Sequence, residues 1–240
     1  MEFLRSIANS GYLGYLLFML PAIILSIVAQ AMVKGRFAKY SKIPNSRRLT
    51  GAMAAQMVLD ANGVTGVRIV PIAGSLTDHF DPRNNTISLS ESVYNQTSIA
   101  AVGVACHEAG HAVQHATGYV PNKIRTAIVP ACNIGSKISW ILIIIGLLIS
   151  GFSRLGATFL WLGIIFFSLS VLFTLVTLPV EFNASHRALE TIKKTNMLSA
   201  EEYPGARATL SAAAMTYVAA ACVALLQLLR LILIASSRRD

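Results

Sequence analysis

The sequence predicts a mainly α-helical membrane protein with four transmembrane helices and a small α+β domain. Hydrophobic residues make up 54% of the 240 residues and charged residues only 13%, which is unlike the composition of a soluble globule. Four stretches are apolar over at least about 20 residues, the length that a helix needs to cross a bilayer. The chain between the first two stretches instead carries helix caps, turn signals and alternating patterns, which are typical of a small folded domain.

The four apolar stretches divide the chain into spans and polar segments. We expect transmembrane helices at 11–33, 127–152, 155–180 and 210–235. The first stretch is longer than the apolar region of a cleaved signal peptide, and only Arg5 is basic before it, so we expect an uncleaved anchor. Four spans place the polar segments 34–126 and 181–209 on the same face of the membrane.

Charge indicates which face that is. The two polar segments hold most of the 20 basic residues. A basic cluster directly follows the first span and consists of Lys34, Arg36, Lys39, Lys42, Arg47 and Arg48. The positive-inside rule therefore predicts a multi-pass protein of the cell membrane whose polar segments face the cytoplasm. The basic residues lie beside apolar spans without interleaved aromatics, so the net charge of +9 indicates the lipid bilayer and its anionic headgroups, and no nucleic acid, as the partner.

The segment 34–126 begins with a predicted helix and a strand. Thr50 can cap a helix whose apolar residues repeat at helical spacing, and Asn62-Gly63 ends it. A strand at 67–72 follows, and Pro71 places it at an edge or an end of a sheet.

A second strand and a second helix complete this segment. Turn residues at 81–85 precede the strand 86–90, which alternates as a half-buried strand does. Thr97 or Ser98 can cap the helix that follows, and Gly118 stops it after about Ala116.

The second helix carries a His-Glu-x-x-His motif at His107, Glu108 and His111. Residues four apart share one helix face, so the two histidines can bind one metal ion and Glu108 can reach water bound to it. Zinc-activated hydrolysis uses this combination of imidazoles and a carboxylate. A short pattern also arises by chance, but three of the five histidines in the chain lie in this helix, the third being His115.

A catalytic zinc usually takes three protein ligands and keeps one open position. Gln114 and Thr117 stand where the metzincin pattern has glycine and a third histidine, which excludes that pattern. His115 lies eight residues after His107, a poor offset for the same ion. Glu181 is favoured, because it follows the third span and returns to the face that holds the motif, and the segment 181–209 can form the helix that carries this third ligand. The alternative for Glu181 is an ordinary carboxylate at the membrane interface.

Three stretches resemble the YugP-type family of membrane neutral zinc metallopeptidases. They are HEAGH at 107–111, TDHFDPR at 77–83 and LPVEFNAS at 178–185. The resemblance covers most of the chain and implies that the small α+β domain is zincin-like.

The Glu-Phe-x-Ala element at Glu181 is also similar to the wider gluzincin group of heat-shock-type and CAAX-processing membrane proteases. That group has an aspartate four residues after the ligand glutamate, and the aspartate supports the zinc-binding helix. This chain has Ser185 there, so Ser185 or His186 is expected to supply a weaker hydrogen bond.

The resemblance and the residues together predict a membrane-anchored zinc metalloendopeptidase. His107, His111 and Glu181 would bind Zn²⁺, and Glu108 would act as the general base. The expected substrate is a protein or peptide associated with the membrane.

Two further features are candidates for parts of the active site. His186 and Tyr203 are candidates for stabilising the oxyanion, and each also has an ordinary structural interpretation. The strand before the motif helix could pair with an extended substrate, or be an ordinary edge strand. Its residues are Thr86, Ile87, Ser88, Leu89 and Ser90.

Two alternative functions remain at this stage. The first is an intramembrane, site-2-like metalloprotease, which the apolar run 99–106 favours and the polar strands and turns before it oppose. The second is a non-catalytic zinc-binding membrane scaffold. A structural zinc site is normally closed by four protein ligands, often cysteines, and no cysteine is suitably placed here, whereas a scaffold has no use for Glu108.

Overall fold

The computed structural model describes residues 11–149 and 154–237, which form six helices and one small sheet. In chain order the elements are α1 (Gly11–Tyr40), α2 (Gly51–Ala61), β1 (Arg68–Ile72), β2 (His79–Asp81), β3 (Thr86–Ser90), α3 (Ile99–Ala116), α4 (Val120–Ile149), α5 (Arg154–Lys194) and α6 (Tyr203–Ser237). They divide into two units. The motif unit comprises residues 29–123 and 178–216, and the span unit comprises the remaining described residues.

The span unit contains most of the four helices that are long and apolar enough to cross a membrane, which are α1, α4, α5 and α6. The prediction of a mainly helical chain with four such helices is thereby confirmed. The end of the second expected span, at 150–152, lies outside the described residues.

Helices α4 and α5 pack closely through small residues. A Cβ atom added to Gly146 would lie 2.6 Å from the backbone nitrogen of Leu160, so no side chain fits between the two helices there. Gly163 is similarly close to α4, because its added Cβ would lie 2.9 Å from the backbone nitrogen of Ile143. Small residues at such points let helices approach each other in membranes.

The motif unit is built on the packing of α2 against α3. Thr50 caps α2 by accepting a hydrogen bond from the Met53 amide, and Ser98 caps α3 by accepting one from the Ala101 amide. The helix α3 ends before Gly118, which has the left-handed conformation that favours glycine. These caps and the C-terminal stop agree with the sequence predictions. Of the two residues predicted to cap α3, Thr97 and Ser98, the cap is Ser98.

The sheet has the order β1-β3-β2. β3 pairs in parallel with β1 through Arg68–Thr86 to Ile72–Ser90, and antiparallel with β2 through His79–Ser88 to Asp81–Thr86. All five residues of β3 are buried. The strand 67–72 is an edge strand, as Pro71 indicates, but β3 is the central strand. The expectation that Thr86, Ile87, Ser88, Leu89 and Ser90 pair with a substrate is therefore wrong, because both edges of β3 are already hydrogen-bonded.

The third expected span and the segment carrying Glu181 are parts of one helix. α5 runs for 41 residues and contains Pro179 within it. It ends at Lys194, and Asn196 then adopts a positive φ of 49° before α6 begins at Tyr203. Glu181 therefore lies within a helix, two residues after Pro179.

Candidate metal centre

Helices α3 and α5 bring three potential metal ligands together within the motif unit. Glu181 Oε2 lies 3.3 Å from His107 Nε2 and 3.5 Å from His111 Nε2. The ligand atoms of the three residues all lie within 4.8 Å of one another. The sequence prediction brought these same residues together, and no other such group of metal-binding side chains occurs in the described part of the chain.

The donor set fits zinc in its chemistry and its spacing. Structural and catalytic zinc sites bind imidazole nitrogen and carboxylate oxygen at about 2.0–2.2 Å, and a tetrahedral arrangement then separates neighbouring ligand atoms by roughly 3.3–3.6 Å. Both distances from Glu181 Oε2 fall in this range. Two neutral imidazoles and one carboxylate leave a fourth position for water or substrate.

The charges around His111 explain how the metal-free site is held together. Burial lowers the pKa of His111, but the hydrogen bond that His111 donates to Glu181 and the negative charge of Glu108 outweigh this effect, so the pKa is raised above its ordinary value. The two carboxylates thus create an environment that favours a cation. A divalent metal ion would satisfy the same electrostatic preference.

The opposite ring nitrogens of both histidines contact buried polar side chains. His107 Nδ1 lies 3.1 Å from Ser185 Oγ, and Ser185 is one helical turn after Glu181. With Nε2 directed to Glu181, the Nδ1–H of His107 can donate to this hydroxyl. Ser185 therefore lies where the sequence analysis expected a weaker substitute for an aspartate.

Gln114 is the polar partner of His111 and was missed as a site residue. Its Oε1 lies 3.1 Å from His111 Nδ1, and its Nε2 donates to Val180 O at 2.7 Å and to Asn183 Oδ1 at 3.0 Å. Arg187 Nε donates to the same Asn183 oxygen at 2.8 Å. Gln114 is fully buried, so its amide ties α3 to α5 directly behind the histidine. The available signal was its spacing, because a residue three positions after a ligand shares its helix face.

The remaining site candidates are distributed as follows. Glu108 is 8% exposed and follows His107 on α3. His186 is exposed on α5, with Nε2 3.9 Å from Glu190 Oε2, outside the ligand group. Tyr203 begins α6 and packs, partly buried, against the core of the motif unit. The oxyanion role of His186 and Tyr203 stays a prediction.

Two other residues of α3 have ordinary structural roles in the described structure. His115 is exposed, and its ring lies 5.8 Å from the ring of Phe80 on β2. Cys106 is buried, and burial raises the pKa of its thiol, which opposes the thiolate form that binds metals. Its Sγ lies 3.8 Å from Ala54 O and 3.7 Å from Met197 Sδ, so it acts as a packing residue.

A centre of two histidines and one carboxylate on two packed helices, in a chain with four helices able to cross a membrane, is the arrangement expected of a membrane-bound metallohydrolase. The family described as "Putative neutral zinc metallopeptidase" matches residues 15–236, and the chain belongs to this family. It is 45% identical over 221 residues to the "Putative membrane protease YugP" of Bacillus subtilis (strain 168), and the match covers 92% of this chain and 96% of that protein. No solved structure matches the chain. The family resemblance in the sequence is thus confirmed.

Proposed function

We propose that the chain is a membrane-anchored zinc metalloendopeptidase with a gluzincin-like site, in which His107, His111 and Glu181 hold Zn²⁺. The observation that carries this proposal is the convergence of the three ligand atoms, which all lie within 4.8 Å of one another. When bound, Zn²⁺ would supply a Lewis acid that acidifies a water molecule and polarises the scissile carbonyl. The centre has three protein ligands rather than four, which favours a catalytic site over a structural one.

Glu108 would act as the general base. It is adjacent to the ligand His107 on α3, it is buried, and its negative charge acts on His111. Its carboxylate would take the proton of the attacking water and pass it to the leaving amine. General acid–base catalysis of this kind contributes about 10²–10⁴-fold to the rate.

Strand β2 is the better candidate for pairing with an extended substrate. It pairs with β3 on one side only, and its other edge has no strand partner among the described residues. Phe80 of β2 contacts His115, which is one turn after His111, so the strand lies beside the metal-binding helix. A substrate added to this edge would run antiparallel or parallel to β2 by main-chain hydrogen bonds.

We further propose that the motif unit faces the cytoplasm and cleaves proteins or peptides associated with the membrane. The density of basic residues in 34–126 and 181–209 supports this orientation. The sheet that precedes α3 supports a zincin-like domain outside the bilayer, because an open sheet edge is not stable in lipid.

The experiment compares Glu108→Gln, Glu181→Ala and Glu190→Ala in protein purified with detergent. Metal content is measured by mass spectrometry and cleavage with a peptide library. Glu108→Gln should keep zinc and lose cleavage, and Glu181→Ala should lose zinc. Glu190→Ala is the matched control, because Glu190 is an exposed carboxylate on the same helix and pairs with Lys194. Full zinc occupancy in Glu181→Ala, or normal cleavage by Glu108→Gln, would contradict the proposal.

A further inference from the structure

Lys137 is an exposed charged residue in the middle of the candidate span of α4. It lies 12 residues after Arg125, or about 18 Å along the helix. The packing of α5 against α4 agrees with this position. Cys132, before Lys137, contacts Leu169 O, and an added Cβ at Gly163 would contact Ser139 O, after Lys137. Lys137 is therefore level with the middle of the apolar part of α5. In a bilayer centred on these apolar segments, Lys137 would lie near the middle, about 15 Å from either headgroup layer.

Asn133, which lies one helical turn before Lys137 on α4, lines a cleft between α4 and α5. Asn133 and Ser136 precede Lys137 by four residues and one residue, and Ser170 of α5 lies across from them. The cleft has a volume of about 140 Å³ and is lined by Val129, Cys132, Asn133, Ser136, Ser170 and Phe173. Ser170 Oγ is buried and makes no hydrogen bond within the described residues.

The positive charge of Lys137 has no acidic partner among the described residues of the span unit. Lys137 forms no ion pair with any residue that the structure describes, and the spans in residues 11–28, 124–177 and 217–237 contain no aspartate or glutamate. A second copy of the chain would therefore bring no carboxylate to this depth. The lysine stem is also too short to carry its ammonium group half a bilayer, about 15 Å, to a lipid headgroup.

We propose that Asn133, Ser136, Lys137 and Ser170 form a docking site for a transmembrane helix of another protein, one that carries an aspartate or glutamate near the middle of the bilayer. The carboxylate would pair with Lys137 and accept a hydrogen bond from the Asn133 amide, and the cleft beside Ser170 would receive a neighbouring small side chain. Ionisable residues at this depth are unfavourable in lipid unless they meet such a partner. The inference rests on the proposed membrane insertion, but it does not depend on the zinc site.

The test uses the full-length protein in lipid vesicles with a single-span polyleucine peptide that carries one central glutamate. Energy transfer between labels on the protein and the peptide gives the affinity. The peptide with a central glutamine should bind about 5–30-fold more weakly, as should Lys137→Met with the glutamate peptide. Lys137→Arg should retain binding, and Lys137→Glu should instead prefer a peptide with a central lysine. Ile141→Ala is the control, because Ile141 is also exposed on α4, one helical turn after Lys137, but is apolar.

Equal binding of the glutamate and glutamine peptides would overturn the docking site, and so would wild-type affinity in Lys137→Met. Equal binding of a peptide whose glutamate lies near an end would also overturn it, because pairing would then occur at the headgroup level. Alkaline carbonate extraction and zinc content are measured on the same vesicles. Extraction of the protein would contradict the membrane insertion, whereas retention without zinc would contradict the metal centre alone.

Discussion

Gln114 determines which nitrogen of His111 is available for a metal ion. The amide of Gln114 donates through Nε2 to Val180 and Asn183, so the atom that faces His111 Nδ1 is the acceptor Oε1. The neutral imidazole must then carry its proton on Nδ1 and leave the Nε2 lone pair directed towards Glu181. The buried amide therefore sets both the tautomer and the ring orientation of the ligand.

Replacing Gln114 by leucine should weaken zinc binding about 10–100-fold, the usual effect of removing a hydrogen-bond partner from a metal-binding histidine. Competition with a fluorescent zinc chelator measures the dissociation constant. Gln114→Glu keeps the acceptor and should bind zinc more tightly than Gln114→Leu. The matched control is Gln56→Leu, because Gln56 is an exposed glutamine that bonds to Asp60 on α2. An unchanged dissociation constant in Gln114→Leu would show that Gln114 contributes only to helix packing and does not support zinc binding by His111.

Asp81 and Arg83 stabilise the turn between β2 and β3. The Arg83 side chain and its backbone amide both bond to the Asp81 carboxylate, and they lower the pKa of Asp81 from 3.8 to about 2. A lowered pKa in the folded state means that the carboxylate contributes stability above pH 3.8, and that this contribution is lost as the pH falls towards 2. Arg83→Ala should raise the pKa of Asp81 towards its ordinary value, which NMR titration of the carboxyl carbon measures. A pKa that stays near 2 in Arg83→Ala would contradict this account.

Helices α3 and α5 approach each other closely at Gly110, within the metal-binding motif. An added Cβ at Gly110 would lie 2.6 Å from the backbone oxygen of Ala184, which is three residues after Glu181 on α5. Gly103, on the same helix, has ordinary space, because its added Cβ would lie 3.5 Å from the Ala206 Cβ. The two glycines thus allow a comparison between a close helix contact, at Gly110, and a position with ordinary van der Waals spacing, at Gly103.

Gly110→Ala should destabilise the protein by about 1–3 kcal/mol, because the helices must separate to admit the methyl group. It should also weaken zinc binding, since Glu181 moves with α5. Gly103→Ala should be neutral or stabilising by up to about 1 kcal/mol, as expected for alanine in a helix. Thermal unfolding in detergent and zinc titration of both variants test this pair. The same loss in both variants would mean that the contact with Ala184 is not the cause.

Local signals predicted the elements of the motif unit better than their pairing. The helix caps Thr50 and Ser98 and the helix stop Gly118 depend only on residues close to them in the chain. They could therefore be predicted from the local sequence alone. The central place of β3 depends on pairing with β1, 18 residues earlier in the chain, and no local pattern specifies that register. β2 was missed because three residues, His79–Asp81, are too few to show an alternating pattern.

The metal centre was predictable from two features of the sequence, the spacing of its histidines and the number of apolar stretches before Glu181. The four-residue offset puts His107 and His111 on one helix face. The two apolar stretches predicted between the motif and Glu181 would, as membrane spans, return Glu181 to the side that holds the motif. The burial of Gln114 against Val180 was not predictable, because it follows from the crossing of α3 and α5. A helix after Glu181 was expected from the sequence, but its continuity with the third apolar stretch through Pro179 was not, because a proline within a helix usually kinks or ends it.

Zinc should act as a crosslink within the motif unit, because its three ligands join α3 to α5. At a free zinc concentration one hundred times the dissociation constant, binding contributes about 2.7 kcal/mol to stability. Chelation should then lower the melting temperature of the wild type by roughly 5–10 °C for a chain of this size. Hydrogen exchange should increase mainly in 107–116 and 178–194, while the caps at Thr50 and Ser98 keep their protection. Glu181→Ala should show no response to the chelator, because it lacks the ligand that joins the two helices. A chelator response of the same size in Glu181→Ala would assign the stabilisation to zinc bound elsewhere.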